Sequence, residues 1–438
     1  MKLKIIINGG FTMANGLFGG GDGTELSPYL IEDGQDINAI NALLSTYPFQ
    51  HFKMVNDIDM TGIDFKIIGD TSQGPPMMGV FDGNGHTLSG INITKDPGSY
   101  ASSFAVFDRI SGDQAILKNL TVKDITISTD SDDKVALLVA NVSEGAIVDN
   151  CYGEGIIQAR QAFVGGISVF VDSSTIKNSS VKIKAEAHKA GGVVYSSSKC
   201  IIENCSASGE ISGHNDYSKI SPFILVSNYA SVLKNIVSTV SVSNKYEGEG
   251  DYSKIYPFCQ EVSEETILEN NFVAIAGLLY PEWSEFKAYY SDDIITGTDG
   301  EFYICTAYQM AENPLFRPID GDDWWKYWYP HEIENALSNT QLRNKNNFVN
   351  WDFENVWIMG ANGPELKAFY VPIEDSPGGG GDGGDDTPSD IVIVTDVDFT
   401  KTEMMHDISG RAIPQVWDHE NNRFVPVTLQ MIELMIKR

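Results

Sequence analysis

Acidic side chains are the first candidates for chemistry in this 438-residue chain. Asp57 and Asp59 form an Asp-x-Asp pair, and strand alternation would place both carboxylates on one face of an extended segment. A second acidic group, Asp130, Asp132 and Asp133, lies in a polar loop. Hydrolysis of a glycoside requires two carboxyl groups roughly 5–10 Å apart, and a lyase requires a base beside an acidic calcium site.

Neither acidic group has the companions that catalysis requires. No Arg or Lys accompanies them in a fixed pattern, and His51, His86, His188 and His214 stand singly. Asp is also an ordinary turn residue, because its side chain accepts hydrogen bonds from nearby backbone N–H groups. The Gly-rich run 19–23 lacks the Lys-Ser/Thr ending of a phosphate loop. We therefore predict no catalytic residue, no metal ligand and no cofactor.

Aromatic residues are concentrated in the segment 279–331, which holds four of the seven tryptophans. A planar ring can stack on the C–H face of a sugar while neighbouring polar groups bind the hydroxyls. A small module also needs aromatic residues for its own core, and the spacing assigns Trp283 and Tyr303 to that core. The remaining aromatic residues are too closely spaced for all of them to be buried. The predicted carbohydrate-binding residues are Trp324, Trp325, Tyr327, Trp328 and Tyr290.

The secondary structure that positions these residues is predicted from a short sequence motif, here called the Asn phrase. The chain repeats it six times between residues 115 and 271. Each copy consists of two residues, mostly aliphatic, then a polar residue and Asn, and copies recur every 26–35 residues. Such a period marks a repeat architecture, in which each unit buries its apolar face only against its neighbours. The repeated residues, for which we predict a structural role as a ladder, are Asn119, Asn150, Asn178, Asn204, Asn235 and Asn270.

Short apolar runs lie between the Asn phrases, among them 135–139, 162–167 and 190–194. None has the length or period of a helix, so each repeat reads as two or three short strands with abrupt corners. One coil per repeat would stack parallel strands along a long axis, with Asn at the corners, where its side chain can satisfy turn backbone groups. Ahead of the stack, Asp33 is a predicted N-cap for a short helix that covers its open end. The apolar side of that helix consists of Ile37, Ile40, Leu43 and Leu44.

The composition excludes several classes of partner. Acidic residues number 60 against 30 basic ones, and a net charge of −30 disfavours nucleic acid and anionic membranes. No run approaches the roughly 20 apolar residues of a membrane helix, so we predict no membrane insertion. Five cysteines form no CxxC pair. Cys151 and Cys205 directly follow a repeat Asn, where other repeats carry Leu120, Ser179 and Ile236, and are therefore predicted to be core residues in one stacked column.

The opening and closing phrases carry a family resemblance. Segments 19–31, 56–60 and 80–88 resemble the opening coils of bacterial and phage surface proteins with GLUG-type repeats, and 348–357 with 363–366 resembles their closing segment. The resemblance implies an all-β fold, a right-handed parallel β-helix of pectin-lyase-like shape. The internal repeats depart from the family's Gly-Leu-x-Gly core and keep only paired glycines.

The aromatic segment resembles a second kind of module. Its string from Trp283 to Cys305, followed by Asn-Pro and Asp-Asp-Trp-Trp, is similar to the small β modules with which chitinases hold chitin, and related modules occur on phage tail proteins. The positions that match are Trp283, Tyr290, Asp293, Ile295, Gly300, Tyr303, Pro314 and Trp325. This resemblance implies a carbohydrate-binding insert within the β-helix.

The chain accordingly divides into six predicted segments. The C-terminal module contains predicted strands at 391–394, 413–417 and 424–427 and a terminal helix at 429–436; it is small enough that we expect it to oligomerise or dock. We predict no secretory signal, and a translation start at Met13. The segments are a leader 1–16, a β-helix 17–278, an insert 279–331, a closing β-helix segment 332–372, an acidic Gly-rich linker 373–390 and a C-terminal assembly module 391–438.

These features favour a non-enzymatic protein on the surface of a phage virion or a bacterial cell. It would be a tail or appendage fibre or spike, or a cell-surface structural protein, which adheres to surface glycan. Its further partners would be other virion or surface proteins, bound through 391–438, and copies of itself, as a trimer by analogy with other β-helical appendages. One alternative is a polysaccharide depolymerase, a lyase or hydrolase with a groove on the β-helix. A second is a purely structural decoration protein that binds no glycan.

Overall fold

The computed structural model describes most of the chain. The described residues are 17–95, 102–129, 133–215, 217–244, 254–274, 294–296, 302–305, 328–330, 336–370, 397–406, 412–418 and 423–426. The chain divides into two compact units, Met1–Val371 and Pro372–Arg438. None of the helices among the described residues is long and apolar enough to span a membrane.

The first unit is almost entirely β-structure. Its helices are α1 (Gly34–Leu44), α2 (Asn339–Leu342) and a 3-10 turn (Lys345–Asn347). The strands of its first half are β1 (Tyr29–Ile31), β2 (His51–Met54), β3 (Ile58–Asp59), β4 (Val80–Asp82), β5 (Thr87–Ser89), β6 (Asn92–Thr94), β7 (Ser103–Phe104), β8 (Phe107–Ser111), β9 (Ile116–Lys118), β10 (Thr121–Ser128), β11 (Lys134–Ala136), β12 (Val139–Ser143), β13 (Ile147–Asp149), β14 (Tyr152–Gly165), β15 (Ser168–Asp172) and β16 (Thr175–Lys177).

The second half of the first unit contains the strands from β17 to β32. They are β17 (Ser180–Gly191), β18 (Val194–Ser198), β19 (Ile201–Gly213), β20 (Lys219–Ser221), β21 (Ile224–Asn228), β22 (Val232–Asn244), β23 (Lys254–Ile255), β24 (Glu261–Val262), β25 (Ile267–Glu269), β26 (Phe272–Ala274), β27 (Ile294–Thr296), β28 (Phe302–Cys305), β29 (Trp328–Pro330), β30 (Ala336–Leu337), β31 (Trp357–Gly360) and β32 (Gly363–Leu366). The second unit contains β33 (Val397–His406), β34 (Ala412–Asp418) and β35 (Arg423–Pro426).

Equivalent strands of successive coils pair in parallel, and they form three faces. The first face runs β1, β2, β4, β9, β13, β16, β19, β22, β25. The second, which we call the long face, runs β5, β10, β14, β17, β19, β22. The third runs β8, β12, β15, β18, β21, β24. The predicted parallel β-helix is therefore confirmed.

The repeat Asn residues form the corner between the first face and the long face. All six have φ between 50° and 54°, in the left-handed region, which Asn enters more readily than other side-chain-bearing residues. Asn150 donates from Nδ2 to Asn119 Oδ1 at 2.9 Å, and Asn235 donates to Asn204 at 3.1 Å. The side-chain ladder continues from Asn204 to Asn178 and from Asn270 to Asn235.

One rung of this ladder differs from the others. Asn178 donates to Asp149 Oδ1 at 2.9 Å, not to the Asn of the preceding coil. Asp149 comes directly before Asn150, so its carboxylate takes the place of the amide oxygen at that corner. At the start of the column, Asn119 likewise donates to Asp82 Oδ1 at 3.0 Å. The corners are thus connected by a mixed amide and carboxylate ladder.

The second residue of each of the first five phrases packs inside the coils, whereas the first residue is at least partly exposed. Leu117, Val148, Ile176, Ile202 and Leu233 are buried in one column, and each such side chain contributes roughly 1.5–3 kcal/mol to stability. A second buried column follows the Asn residues, as predicted. It contains Leu120, Cys151, Ser179, Cys205 and Ile236.

The sixth phrase is less buried than the others. Its second residue, Leu268, is 40% exposed, although β25 keeps the parallel register with β22. The next coil is where the chain departs from the repeat, so the sixth phrase lies at the margin of the regular stack.

The first coils are covered as predicted by a capped helix. The Asp33 side chain accepts from the backbone N–H groups of Gln35 and Asp36, and so satisfies two donors that the first turn of α1 leaves open. Ile37, Ile40 and Leu44 are buried, while Leu43 is half-buried. The helix therefore covers apolar residues that no preceding coil could cover.

The closing segment forms a separate small core over the far end. Its buried residues Leu342, Trp351 and Trp357 pack in one cluster with Val237 and Ala274 of the coils. Strands β31 and β32 form an antiparallel hairpin, which we call the closing hairpin. Val237 is an outward residue of the long face, so the closing segment covers part of that face.

Between β26 and β30 the chain makes a long excursion without breaking the stack. Val273 pairs with Ala336 in parallel register, so the chain leaves one coil at Ala274 and resumes in the next. Within this excursion β27, β28 and β29 form a small antiparallel sheet. A separate β module is thus inserted where the sequence predicts one.

The C-terminal unit is an antiparallel sheet of β33, β34 and β35. Its second and third strands lie where the sequence predicts strands, at 413–417 and 424–427. The longest, β33, was not predicted. The expected strand at 391–394 and helix at 429–436 lie outside the described residues.

Replacing Asn204 tests the ladder. Asn204→Ala removes hydrogen bonds to Asn178 and Asn235 and leaves a side chain poorly suited to a φ of 52°, so we expect the free energy of unfolding to fall by about 2 kcal/mol. Asn204→Gly removes the same bonds without the strain and should cost less. Urea unfolding followed by circular dichroism measures both, and unchanged stability in the Ala variant would contradict a structural role for the ladder.

Candidate functional site

The predicted carbohydrate-binding residues lie mostly outside the described part of the chain. This applies to Trp324, Trp325, Tyr327 and Tyr290, and also to the predicted core residue Trp283. The backbone is described at two further positions. Trp328 lies in β29 opposite Cys305, and Tyr303 lies in β28 opposite Pro330, so both belong to the small antiparallel sheet of the insert.

The Asp-x-Asp pair is engaged in turns. Asp57 accepts from the backbone N–H of Thr87 at 2.9 Å and contacts His86 Nδ1 at 3.1 Å, and these contacts lower the pKa of its carboxyl. Asp59 accepts from the backbone N–H of Thr61 at 2.9 Å, and the Thr61 side chain and backbone lower its pKa. Both carboxylates thus fix the geometry of corners, the ordinary use of Asp in turns.

The second acidic group contributes one described residue, Asp133. It is buried and ion-paired with Lys95 at 2.8 Å, and it also accepts from the Thr129 hydroxyl. Asp130 and Asp132 lie outside the described residues. Across the described ranges, no group of three or more His, Cys, Asp or Glu side chains could hold a metal ion.

The cysteine side chains of the coils are poorly suited to nucleophilic chemistry. Burial raises the pKa of the Cys151 and Cys205 thiols to about 12, so the reactive thiolate is almost absent near neutral pH. Burial likewise raises the pKa of Cys200. These residues act as core residues of the stack.

The described residues form an open groove on the flank of the β-helix. It lies between the long face and the closing hairpin and has a volume of about 540 Å³. Its floor comes from outward positions of β17, β19 and β22, which the parallel register aligns in rows. The floor residues are mainly hydroxyl-bearing: Ser180, Ser206, Ser208, Thr239 and Ser241.

The opposite wall comes from the closing segment. It supplies Asn362, Pro364, Glu365, Leu366 and Phe369. Phe369 packs on Tyr152 of β14 with a ring-centroid separation of 5.5 Å, and both rings are half-buried. The groove therefore has a polar floor, an aromatic pair on one side and a carboxyl group on the facing wall.

Tyr152 and Lys182, which line one side of the groove, both contact Glu154, which lies outside the lining. Lys182 Nζ donates to Glu154 Oε1 at 2.8 Å, and the Tyr152 hydroxyl donates to Glu154 Oε2 at 3.1 Å. Burial opposes ionisation of Glu154, but these two contacts outweigh it and lower its pKa. Burial, and then the charge of Glu154, raises the pKa of the Tyr152 hydroxyl. Tyr152 thus remains a neutral hydrogen-bond donor.

Glu365 differs from Glu154. Burial raises the pKa of its carboxyl, and within the described residues no donor or cation pairs with it. The carboxyl lies against Gly360, where an added Cβ would stand 1.9 Å from Glu365 Oε1. The glycine thus makes room for a half-buried acid whose hydrogen-bonding capacity is unused.

This groove is not evident from the sequence. Its floor and its wall are separated by more than a hundred residues, and no local motif connects them. The available signal was the alternation of small hydroxyl residues at Ser206, Ser208, Thr239 and Ser241, which an ordinary solvated strand face also shows.

The Lys182–Glu154 pair predicts a pH-dependent stability. The folded pKa of Glu154 lies below its ordinary value of 4.5, so its contribution is present above that value and is lost as pH falls through the folded pKa. Glu154→Gln should therefore lower the free energy of unfolding at pH 7, by at most about 1 kcal/mol because the pair is partly exposed, and should not lower it at pH 3.

Thermal unfolding at the two pH values measures this difference. Glu210→Gln is a matched control, because its partner Lys184 stands 3.7 Å away and both side chains are about 70% exposed. A loss of equal size at both pH values for Glu154→Gln would contradict the role of the ionised pair.

Known proteins resemble this chain in fold, and two of them resemble part of its sequence. No family model matches the chain. A crystal structure from Bacteroides ovatus, of a protein provisionally assigned as an immunoglobulin A1 protease, superposes with a TM-score of 0.54 at 18% identity and covers 81% of this chain and 96% of that one. At this identity the likeness shows the fold alone. The resemblance to GLUG-type repeat proteins stays a prediction.

Two relatives match about a third of the chain each. A protein of Evansella cellulosilytica, provisionally named a Gly-rich membrane protein, is 31% identical over 144 residues, which are 31% of this chain and 15% of that protein. Halomucin of Haloquadratum walsbyi is 27% identical over 158 residues, which are 33% of this chain and 2% of that protein. The chain thus spans a small part of these relatives. What is established is a β-helix chain that shares partial similarity with these proteins.

Proposed function

We propose that this chain is a non-enzymatic structural protein of an exposed surface, on a phage virion or a bacterial cell, and that it adheres to cell-surface glycan. The observation that carries the proposal is the direct pairing of β26 with β30 across the insert. This pairing attaches a separate antiparallel module to an otherwise continuous stack. A rigid stack with an attached module is the arrangement that displaying a binding element requires.

The chemistry of the coils supports a structural role. Asp57 and Asp59 serve turns, Asp133 is ion-paired, and the repeat Asn residues hold corners. A catalytic β-helix would need free carboxylates or a base on its flank. Along most of the described flank these groups already have structural partners.

The sequence supports an exposed location. A net charge of −30 maintains solubility through self-repulsion and disfavours binding to nucleic acid or anionic lipid. One partial relative is named as a membrane protein. On these grounds we propose a location on a virion or cell surface. The proposed relation to GLUG-type repeat proteins rests on the opening and closing phrases of the sequence alone.

The C-terminal unit supports assembly. A sheet of three strands has little core of its own, and small folds of this size often gain stability from a partner. We propose that residues 391–438 bind other virion or surface proteins, or further copies of this chain in a trimer.

A polysaccharide hydrolase is the second candidate, and one observation favours it. Glu154 and Glu365 flank the same Tyr152, and their surroundings shift the two pKa values in opposite directions. Glycosidases use such a pair: a carboxylic acid donates a proton to the leaving oxygen, while a carboxylate acts on the other side of the scissile bond. Water completes the hydrolysis, and both carboxyl groups return to their starting states.

Adhesion through the insert is tested on a glycan array. Wild-type protein should bind a cell-surface glycan, and Trp324→Ala/Trp325→Ala should lose most of that binding, because stacking on exposed rings is removed. Tyr229→Ala is the matched control, since Tyr229 is a 62% exposed aromatic residue of the coils. The proposal is contradicted if the double variant binds every glycan that the wild type binds with unchanged affinity, and a wild-type protein that binds nothing would favour a decoration protein.

Hydrolysis is tested by reducing-end release from host capsule and from the glycans that bind. The adhesion proposal predicts no release above a blank. Release that disappears in both Glu365→Gln and Glu154→Gln would establish the hydrolase and overturn the non-enzymatic assignment.

A further inference from the structure

We propose that the groove between the long face and the closing hairpin binds a neutral oligosaccharide, at a site separate from the aromatic insert. All its walls belong to described residues of one compact unit. The site therefore does not depend on the insert, and it adds a second point of contact to a protein that displays a binding element.

The size and lining of the groove favour a polyhydroxylated ligand. Its volume of about 540 Å³ lies within the range of small-molecule sites, roughly 300–1,000 Å³. Ser208 of β19 and Thr239 of β22 line it at paired register positions. Their hydroxyl groups donate to the backbone oxygens of Val181 and Ala207 at 3.5 and 3.4 Å, and they keep acceptor lone pairs for the hydroxyl groups of a sugar.

The charges of the groove disfavour an anionic ligand. Lys182 is the cation that lines it, and that side chain is already paired with Glu154. Glu365 is left as an acceptor with no partner in the described residues. Lys123 Nζ stands 5.9 Å from the Tyr152 ring centroid but lies outside the groove lining. Within the lining, a carboxylate or sulfate on the ligand would meet Glu365 without an unpaired cation, whereas a neutral hydroxyl could donate to Glu365.

Most of the floor backbone is engaged within the β-helix. β17 and β19 pair with a neighbour on both sides, whereas β22 beyond Ser238 pairs with β19 alone among the described residues. A peptide that added a strand would need that edge of β22, while the lining hydroxyl groups lie on the face of the sheet. A ligand that lies on the face meets side chains, as a glycan does.

Apolar surface at one side complements the hydroxyl floor. Tyr152 and Phe369 keep partly exposed rings in the lining of the groove, and Leu366 and Ala274 also line it. Sugar rings are amphipathic, with C–H faces and hydroxyl edges, so they fit a site that offers both kinds of surface.

The test uses the full chain carrying Trp324→Ala/Trp325→Ala, so that binding by the insert does not hide the groove. The probes are arrays of neutral gluco- and chito-oligosaccharides, sulfated and uronic-acid oligosaccharides, and a random peptide library. Ser208→Trp fills the groove, and Glu365→Gln removes one charge without changing shape. Ser243→Trp is the matched control, because residue 243 lies further along β22, outside the groove lining.

We expect binding of a neutral oligosaccharide that Ser208→Trp abolishes, Glu365→Gln weakens about tenfold and Ser243→Trp leaves unchanged. Thermal unfolding checks that each variant is folded. If Ser208→Trp does not fold, the affinity of Glu365→Gln for the oligosaccharide tests the proposal. The proposal is overturned if no neutral oligosaccharide binds or if anionic glycans or peptides bind preferentially. It is also overturned if neither Ser208→Trp nor Glu365→Gln changes the affinity for the oligosaccharide. If the wild type binds no glycan beyond those that the double variant binds, adhesion through the insert is refuted and the groove proposal stands.

Discussion

Each coil of this protein turns the same corner through a residue with positive φ, and the side chain at that corner hydrogen-bonds to the coil before it. Asn meets both demands, because it tolerates the left-handed region and carries a donor and an acceptor on one short side chain. Ala would fail both demands, and Gly would fail the second. The regular stacking of the described coils depends on this combination.

The corner also sets the register of the surface. In each coil the chain passes from the first face to the long face through the same Asn turn, so outward residues of successive coils align. Tyr152, Ser180, Ser206 and Val237 form one such row. The closing segment covers the Val237 end of that row and leaves the hydroxyl-bearing positions open. The groove is therefore a consequence of how the stack is registered and how it is closed.

The sequence predicts what is local and repeated. The Asn phrases, the buried column with Cys151 and Cys205, and the N-cap at Asp33 all follow from patterns a few residues long. Corners inside apolar runs are harder to predict. Leu137 and Leu138, for example, form a bend within a continuous apolar stretch of the sequence. The groove could not be predicted, since Glu365 and Ser208 meet only after the chain has completed several coils and folded back. The exposure of Leu268 has a related cause, because whether a residue of one coil is covered depends on the coil that follows it.

The insertion between Ala274 and Ala336 has a consequence for how such a protein can change over time. The two strands that flank it pair with each other, so their hydrogen bonds do not depend on what lies between them. The entropy of closing a loop rises only with the logarithm of its length, so exchanging one inserted module for another of different size has little effect on the stack. Ligand specificity and scaffold stability can then evolve separately, and the same junction offers protein engineers a position for grafting a foreign domain.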